Sequence, residues 1–336
     1  MLTESPVRRQ VTGRWIDHWE PDDPGFWAER GRRIANRNLL YSICCEHVGF
    51  SIWSLWSVLV LFLGPGYGLS VADKFLVTAV PTVVGAVLRI PYTLAVARFG
   101  GRNWTVVSAA MLLVPCALAA PVLHPGTSLG TFLVVAAVTG LGGGNFASSM
   151  TNVNTFYPES RKGWALGLNA GGGNLGVAGV QLVGLLVLGT TGAGHPRLVL
   201  WVYLPLIVLT ALAAALRMDN LSCARNDTRA MREVVRDAHC WVMSLLYVGT
   251  FGSFIGYGFA AVFRERRLSG AVIGIAGAIG ALGGVGINLA FRQSFALTGS
   301  GTPAVVGFLV YYGICAALTW LVYRPDRSPW ADPRCE

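Results

Sequence analysis

Charge is what this sequence has least of. Only 13% of its 336 residues are Asp, Glu, Lys or Arg, against roughly 25% in a soluble globular domain. That shortfall, with 53% hydrophobic residues, excludes an ordinary soluble domain. Signatures of chemistry are missing as well. There is no HExxH metal helix and no Walker A loop, so neither a metalloprotease nor a nucleotide-driven machine is expected. The seven cysteines stand at 44, 45, 116, 223, 240, 315 and 335, with no CxxC pair and no metal-ligand spacing. Most lie in or beside apolar segments, where free Cys behaves as a small hydrophobe. Disulfides, a metal site and a cofactor are therefore not expected.

What is present is apolar sequence in long blocks. A membrane-spanning helix needs about 20 mostly apolar residues, and nine blocks approach that length: 39–63, 74–97, 104–122, 129–153, 164–190, 197–217, 240–263, 270–291 and 303–323. The fold class is thus an all-α polytopic membrane protein of about nine transmembrane helices. The expected organisation is an N-terminal tail (1–38), a six-helix bundle (39–217), a linker (218–239), a shorter C-terminal bundle (240–323) and a C-terminal tail (324–336). No cleavable leader is visible, and the first apolar block is expected to serve as the insertion signal. Within the tail, the amphipathic stretch Trp15 to Arg37, with Trp15, Trp19 and Trp27, reads as an interfacial collar on the membrane surface.

The net charge of +9 points to topology rather than to nucleic acid. The tail holds seven Arg, the connection after block 2 holds Arg98 and Arg102, and the one after block 4 holds Arg161 and Lys162. The segment after block 6 adds Arg217, Arg225, Arg229, Arg232 and Arg236, whereas the alternate connections hold little beyond Arg197. By the positive-inside rule the N-terminus is cytoplasmic. The same rule fails in the last third. Nine spans would put Arg264, Arg266, Arg267, Arg324, Arg327 and Arg334 outside.

Three features carry chemistry. Arg89 falls mid-block, where an ionised side chain costs several kcal/mol unless it faces a cavity or partner. Arg stays charged when buried, and its planar fork suits planar oxyanions. Two readings stay open for it, a binding group for a small anion or an internal salt bridge to Glu46. Glu46 and His47, a third of the way into block 1, read either as a proton relay or as hydrated or paired groups; we favour the second. The glycine-rich runs Gly140–Met150 and Gly167–Gly176 contain a literal GxGxxG, Gly171 to Gly176. A dinucleotide fingerprint would follow a strand in a soluble βαβ unit, so these runs read as close helix packing. Asn145, Asn152, Asn169 and Asn174 add amides that are either packing or ligand groups.

At these residues the sequence resembles the nitrate/nitrite porters (NarK type) of the major facilitator superfamily. The carriers are Leu88-Arg89-Ile90-Pro91-Tyr92-Thr93, Arg98-Phe99-Gly100-Gly101-Arg102, and the run around Gly142-Gly143-Gly144-Asn145-Phe146-Ala147-Ser148-Ser149-Met150. They continue in Phe156-Tyr157-Pro158, the block 5 glycines, and Thr250-Phe251-Gly252-Ser253-Phe254. The resemblance implies two helical bundles rocking about a central site, no enzymatic activity, and residence in the inner (plasma) membrane of a bacterium or archaeon. It implies nitrate and nitrite as substrates, carried by uptake or exchange, with the lipid bilayer and no nucleic acid as partners. Carried over by position, the substrate-binding residues are Arg89, Phe146, Asn174, Tyr247 and Phe251.

The resemblance also implies a gap. After Gly256 the chain passes to Phe259-Ala260-Ala261-Val262-Phe263-Arg264, similar to the end of the family's tenth helix. Helices 8, 9 and most of 10 are thus expected to be absent, and with them the family's second substrate Arg. A fused seventh segment that does not fully span would keep the last basic residues inside. A second reading follows, a non-transporting remnant or a partner of an intact porter.

Overall fold

The computed structural model describes residues 14–224, 228–249, 286 and 289–323, and these are mainly helical. The first six long helices, α1 to α6, are Arg32–Trp53, Val71–Phe99, Gly101–Val122, Leu129–Phe156, Glu159–Thr191 and Arg197–Arg217. The chain then forms α7 (Thr228–Arg236), α8 (Ala238–Gly249), a helical stretch over 289–298, and α9 (Thr302–Tyr323). Among the described residues, α2 to α6 and Thr302–Leu321 of α9 are long and apolar enough to cross a membrane. Most of block 7 and of block 8, including Arg264-Glu265-Arg266-Arg267, lies outside the described residues.

Local signals set the helix ends. Asp23 caps the start of the N-terminal helical run, accepting from Gly25 N at 3.2 Å and Phe26 N at 3.0 Å, with Pro24 at the first position. The run continues through Trp27–Gly31 into α1, so α1 starts at Arg32, seven residues before its apolar block. Hydropathy marks where lipid begins, and the cap marks where the helix does. Ser54 ends α1 with its hydroxyl bonded back to Phe50 O at 2.7 Å, and Leu55–Leu59 resumes the helix. A capping box opens α2: Ser70 Oγ accepts from Asp73 N at 3.1 Å, and Asp73 accepts from Ser70 N at 3.0 Å. Ser128 likewise caps α4, accepting from Thr131 N at 3.2 Å. The literal Gly-x-Ser-x-Gly from Gly126 to Gly130 is therefore a helix start and no nucleophile elbow.

Helix α1 is the hub, packed against α4, α5 and α6, while α2 lies on α4, and α3 on α4 and α6. Glycine makes the closest of these approaches possible. A Cβ on Gly142 would lie 2.2 Å from Gly49 O, and one on Gly176 would lie 2.0 Å from His47 O. Of the three glycines of the literal GxGxxG, Gly176 abuts α1 backbone, Gly173 faces the Glu46 side chain, and Gly171 meets no described residue within 4 Å. The motif is a helix seam, as the sequence reading has it.

At the end of the bundle where α1 begins, the N-terminal segment is bound to protein. Trp15–Ile16 and Asn220–Leu221 form a two-stranded parallel pair. Trp19 and Trp27 are buried, Trp19 donating to Phe156 O at 3.2 Å and Trp27 packing at a tilt 5.5 Å from Tyr157. This corrects the interfacial-collar expectation for these two rings, because the ends of α4 and α5 offer an apolar surface that takes them out of lipid. Asn38 and Asp219 interlock beside them, with Asp219 N donating to Asn38 Oδ1 at 2.8 Å and Asn38 Nδ2 to Asp219 Oδ2 at 2.9 Å. Arg37 pairs with the same carboxylate.

The C-terminal helices meet the bundle at its other end. Phe75, one turn into α2, stacks on Phe291 at 5.4 Å and Phe295 at 5.6 Å. Tyr311 of α9 donates to Leu245 O of α8 at 3.1 Å. The turn at 299–301 therefore sits at the end where α1 gives way to α2.

Candidate functional site

Arg89 is fully buried at 0% exposure, in the second half of α2. Its guanidinium carbon lies 4.7 Å from the centre of the Phe146 ring on α4 and 5.5 Å from that of Trp53 on α1. Phe50 closes the group edge-on, 5.3 Å from Trp53 and 5.8 Å from Phe146. The Trp53 ring is fixed by its Nε1–H donating to Pro81 O at 2.9 Å.

Small residues make room for this aromatic cup. A Cβ on Gly85 would meet Trp53 Nε1 at 2.5 Å, one on Gly143 would meet it at 2.8 Å, and one on Gly144 would strike the Tyr92 ring at 2.7 Å. The block 4 glycine run is thus the mould that admits Trp53 and Tyr92 beside Arg89. A guanidinium faced by aromatic rings keeps its charge at reduced hydration. Its in-plane N–H groups match a planar oxyanion, and the rings favour a flat one.

Glu46 is also fully buried. It accepts from Asn169 Nδ2, which in turn lies 2.8 Å from Ser149 Oγ. The carboxylate is within electrostatic reach of Arg89 but makes no ion pair with it. The salt-bridge reading of Arg89 with Glu46 is therefore not what the structure holds. His47 turns the other way, its Nδ1 3.2 Å from Gly172 O.

Of the five residues carried over from the resemblance, the structure brings Arg89 and Phe146 into contact. Asn174 is on α5 with its amide donating to Ala170 O at 2.9 Å. Tyr247 belongs to α8, but its side chain lies outside the described residues, as does the whole of Phe251. Among the other amides, Asn169 serves Glu46. Asn145 is buried against Gly49, and its amide has no hydrogen-bond partner among the described residues. Sequence reasoning passed over Trp53 and Phe50. Their spacing of three is the signal that puts both rings on one face of α1.

A cavity of about 670 Å³ opens toward the α1–α2 end. Trp53, Ser54, Trp56, Ser57, Lys74, Thr78, Thr82 and Gln181 line much of it. Trp53 is thus shared between the cavity wall and the cup around Arg89.

A family model of the Major Facilitator Superfamily matches residues 44–331. The chain is 39% identical over 270 residues to the nitrate/nitrite transporter NarU of Salmonella typhimurium, a match covering 75% of this chain and 58% of that protein. It is 40% identical over 267 residues to NarU of Escherichia coli, covering 74% and 58%. To the nitrite extrusion protein of Bacillus subtilis it is 29% identical over 211 residues, covering 62% and 51%. The chain thus spans less than two thirds of the length of these relatives.

Proposed function

This chain belongs to the major facilitator superfamily, in its nitrate/nitrite porter (NarK-type) family, and from that premise we propose that it is a secondary transporter of nitrate and nitrite. The observation that carries the reading is Arg89, a buried guanidinium at mid-helix in a cup of aromatic rings. Such a group neutralises a small planar anion while the rings select against bulk and heavy hydration. Phe146 supplies one face of the slot. Asn174, Tyr247 and Phe251 complete it in this proposal, by analogy with the family's positions. The relatives' names, nitrate/nitrite transporter and nitrite extrusion protein, agree with this substrate class and with transport rather than enzymatic chemistry.

The protein sits in the plasma membrane in this proposal, with its N-terminus and the Asn38–Asp219 lock cytoplasmic, because the Arg-rich segments gather at that end. The turn at 299–301 is then extracytoplasmic and α9 returns inward, which keeps Arg324, Arg327 and Arg334 on the cytoplasmic side. Strong labelling of a cysteine at position 266 from outside the cell would refute this orientation. A C-terminal bundle without the family's helices 8 and 9 supports a second reading, a partner of an intact porter that binds anion without moving it.

The test is uptake of labelled nitrate into proteoliposomes of the purified chain, with and without trapped nitrite. Saturable uptake supports transport, and its stimulation by trapped nitrite identifies exchange. No uptake by well-folded protein leaves the partner reading.

A further inference from the structure

Helix α2 carries more than Arg89 on the face it turns to the cavity. At 100° per residue, Val71, Lys74, Phe75, Thr78 and Thr82, which line the cavity, fall within an arc of about 100°. Arg89 projects into the middle of the same arc, seven residues beyond Thr82, or about 10 Å along the axis. Lys74 stands about 22 Å from Arg89 on that measure. It is the one charged side chain among the described lining residues and forms none of the ion pairs found among the described residues. Its neighbour Asp73 is engaged in the α2 capping box. Between lysine and arginine the lining is hydroxylated on two helices, with Thr78 and Thr82 on α2, and Ser54 and Ser57 where α1 ends. Gln181 of α5 closes the side, donating to Ser57 Oγ at 2.6 Å.

We propose that this cavity is an outer antechamber for the anion, in which Lys74 captures the ion ahead of Arg89 and the Trp53 indole is the partition between the two stations. A lone cation at the mouth of a low-dielectric cleft raises the local anion concentration and the capture rate. The hydroxyls make this wall polar, though each donates to a backbone carbonyl of its own helix in this structure and must turn to meet an ion losing its water, and no carboxylate among the described lining residues opposes it. Trp53 has one side against the cavity and its ring against Arg89, so passage from one station to the other requires that ring to move. The step rests on the anion reading of Arg89, but it assigns separate residues and a separate readout.

The test compares Lys74→Gln and Lys74→Arg with Arg197→Gln, which removes a basic group at the exposed start of α6, not among the cavity-lining residues. Initial rates of nitrate uptake are read at low ionic strength and in high sodium gluconate, and nitrate-dependent thermal stabilisation of the purified proteins is read in parallel. Lys74→Gln is expected to raise the nitrate KM by about threefold to tenfold at low salt with kcat little changed, a difference that shrinks as salt screens the charge. Lys74→Arg is expected to behave like the parent. An unchanged KM in Lys74→Gln, or an equal rise in Arg197→Gln, overturns the antechamber and leaves the transport reading intact. If the parent binds nitrate without transporting it, and Lys74→Gln weakens that binding, the transport reading falls and the antechamber stands. If the parent neither binds nor transports nitrate, both fall.

Discussion

Replacing Gly176 by alanine tests the helix seam on which the site depends. The added Cβ would sit 2.0 Å from the backbone oxygen of His47, whereas a carbon and a carbonyl oxygen settle at about 3.3 Å. Helices α1 and α5 must therefore part by about 1.3 Å, since neither atom is at the end of a flexible side chain. Overpacking of this kind costs about 1–3 kcal/mol. The Ser51 hydroxyl bond to Gly176 O, 2.8 Å long, would be stretched beyond use, though the same hydroxyl keeps His47 O at 2.9 Å. Alanine's better helix propensity returns about 0.8–1 kcal/mol, leaving a net loss of about 1 kcal/mol. Gly171 is the internal control, one helical turn and a half away with nothing among the described residues within 4 Å of its would-be Cβ. There the same substitution should stabilise by up to about 1 kcal/mol. Equilibrium unfolding in mixed detergent–SDS micelles should separate the two variants by about 2 kcal/mol. Coincident unfolding curves would refute the packing account of the glycine run.

Three further outcomes are expected. Trp53→Leu removes one of the rings facing Arg89 and should weaken nitrate half-saturation about twofold to thirtyfold, from a cation–π term of about 0.5–2 kcal/mol, read by uptake kinetics. Asn38→Leu leaves the buried Asp219 backbone N–H and carboxylate short of a partner and should cost about 1–3 kcal/mol in thermal unfolding, whereas Arg37→Gln, at a partly exposed ion pair, should cost less than about 1 kcal/mol. Trp19→Ala vacates a buried ring at the end of α4 and should cost about 3 kcal/mol locally, seen as faster limited proteolysis around Arg30 to Arg33.

Long-range order in this protein is written in two patterns that a linear reading can follow. Lipid requires apolar blocks of fixed length, so α2 to α6 were legible as spans from composition alone. A charge in the middle of such a block has to be explained, which is why Arg89 stood out before any coordinates. Phe146 followed from the family motif, and its contact with Arg89 came from helix packing. The rest depended on three-dimensional juxtaposition. Trp19 and Trp27 read as interfacial because aromatic residues between charges suit a membrane surface equally well, and only the apolar ends of α4 and α5 decide otherwise. The Arg89–Glu46 pairing was plausible from burial, yet the hydrogen bond that Glu46 accepts comes from Asn169 and no ion pair with Arg89 forms. Lys74 escaped notice because at the start of a span it looks like any loop lysine, and its meaning lies in sharing a helix face with Arg89.

The most direct test of the account is nitrate uptake by the parent chain beside Arg89→Lys, reconstituted at equal density and verified as folded. Lysine keeps the charge but loses the planar fork and its stacking on Phe146 and Trp53. The account predicts saturable uptake in the parent and its loss in Arg89→Lys. Equal uptake by the two proteins would contradict it, because the anion would then be held somewhere other than the aromatic cup.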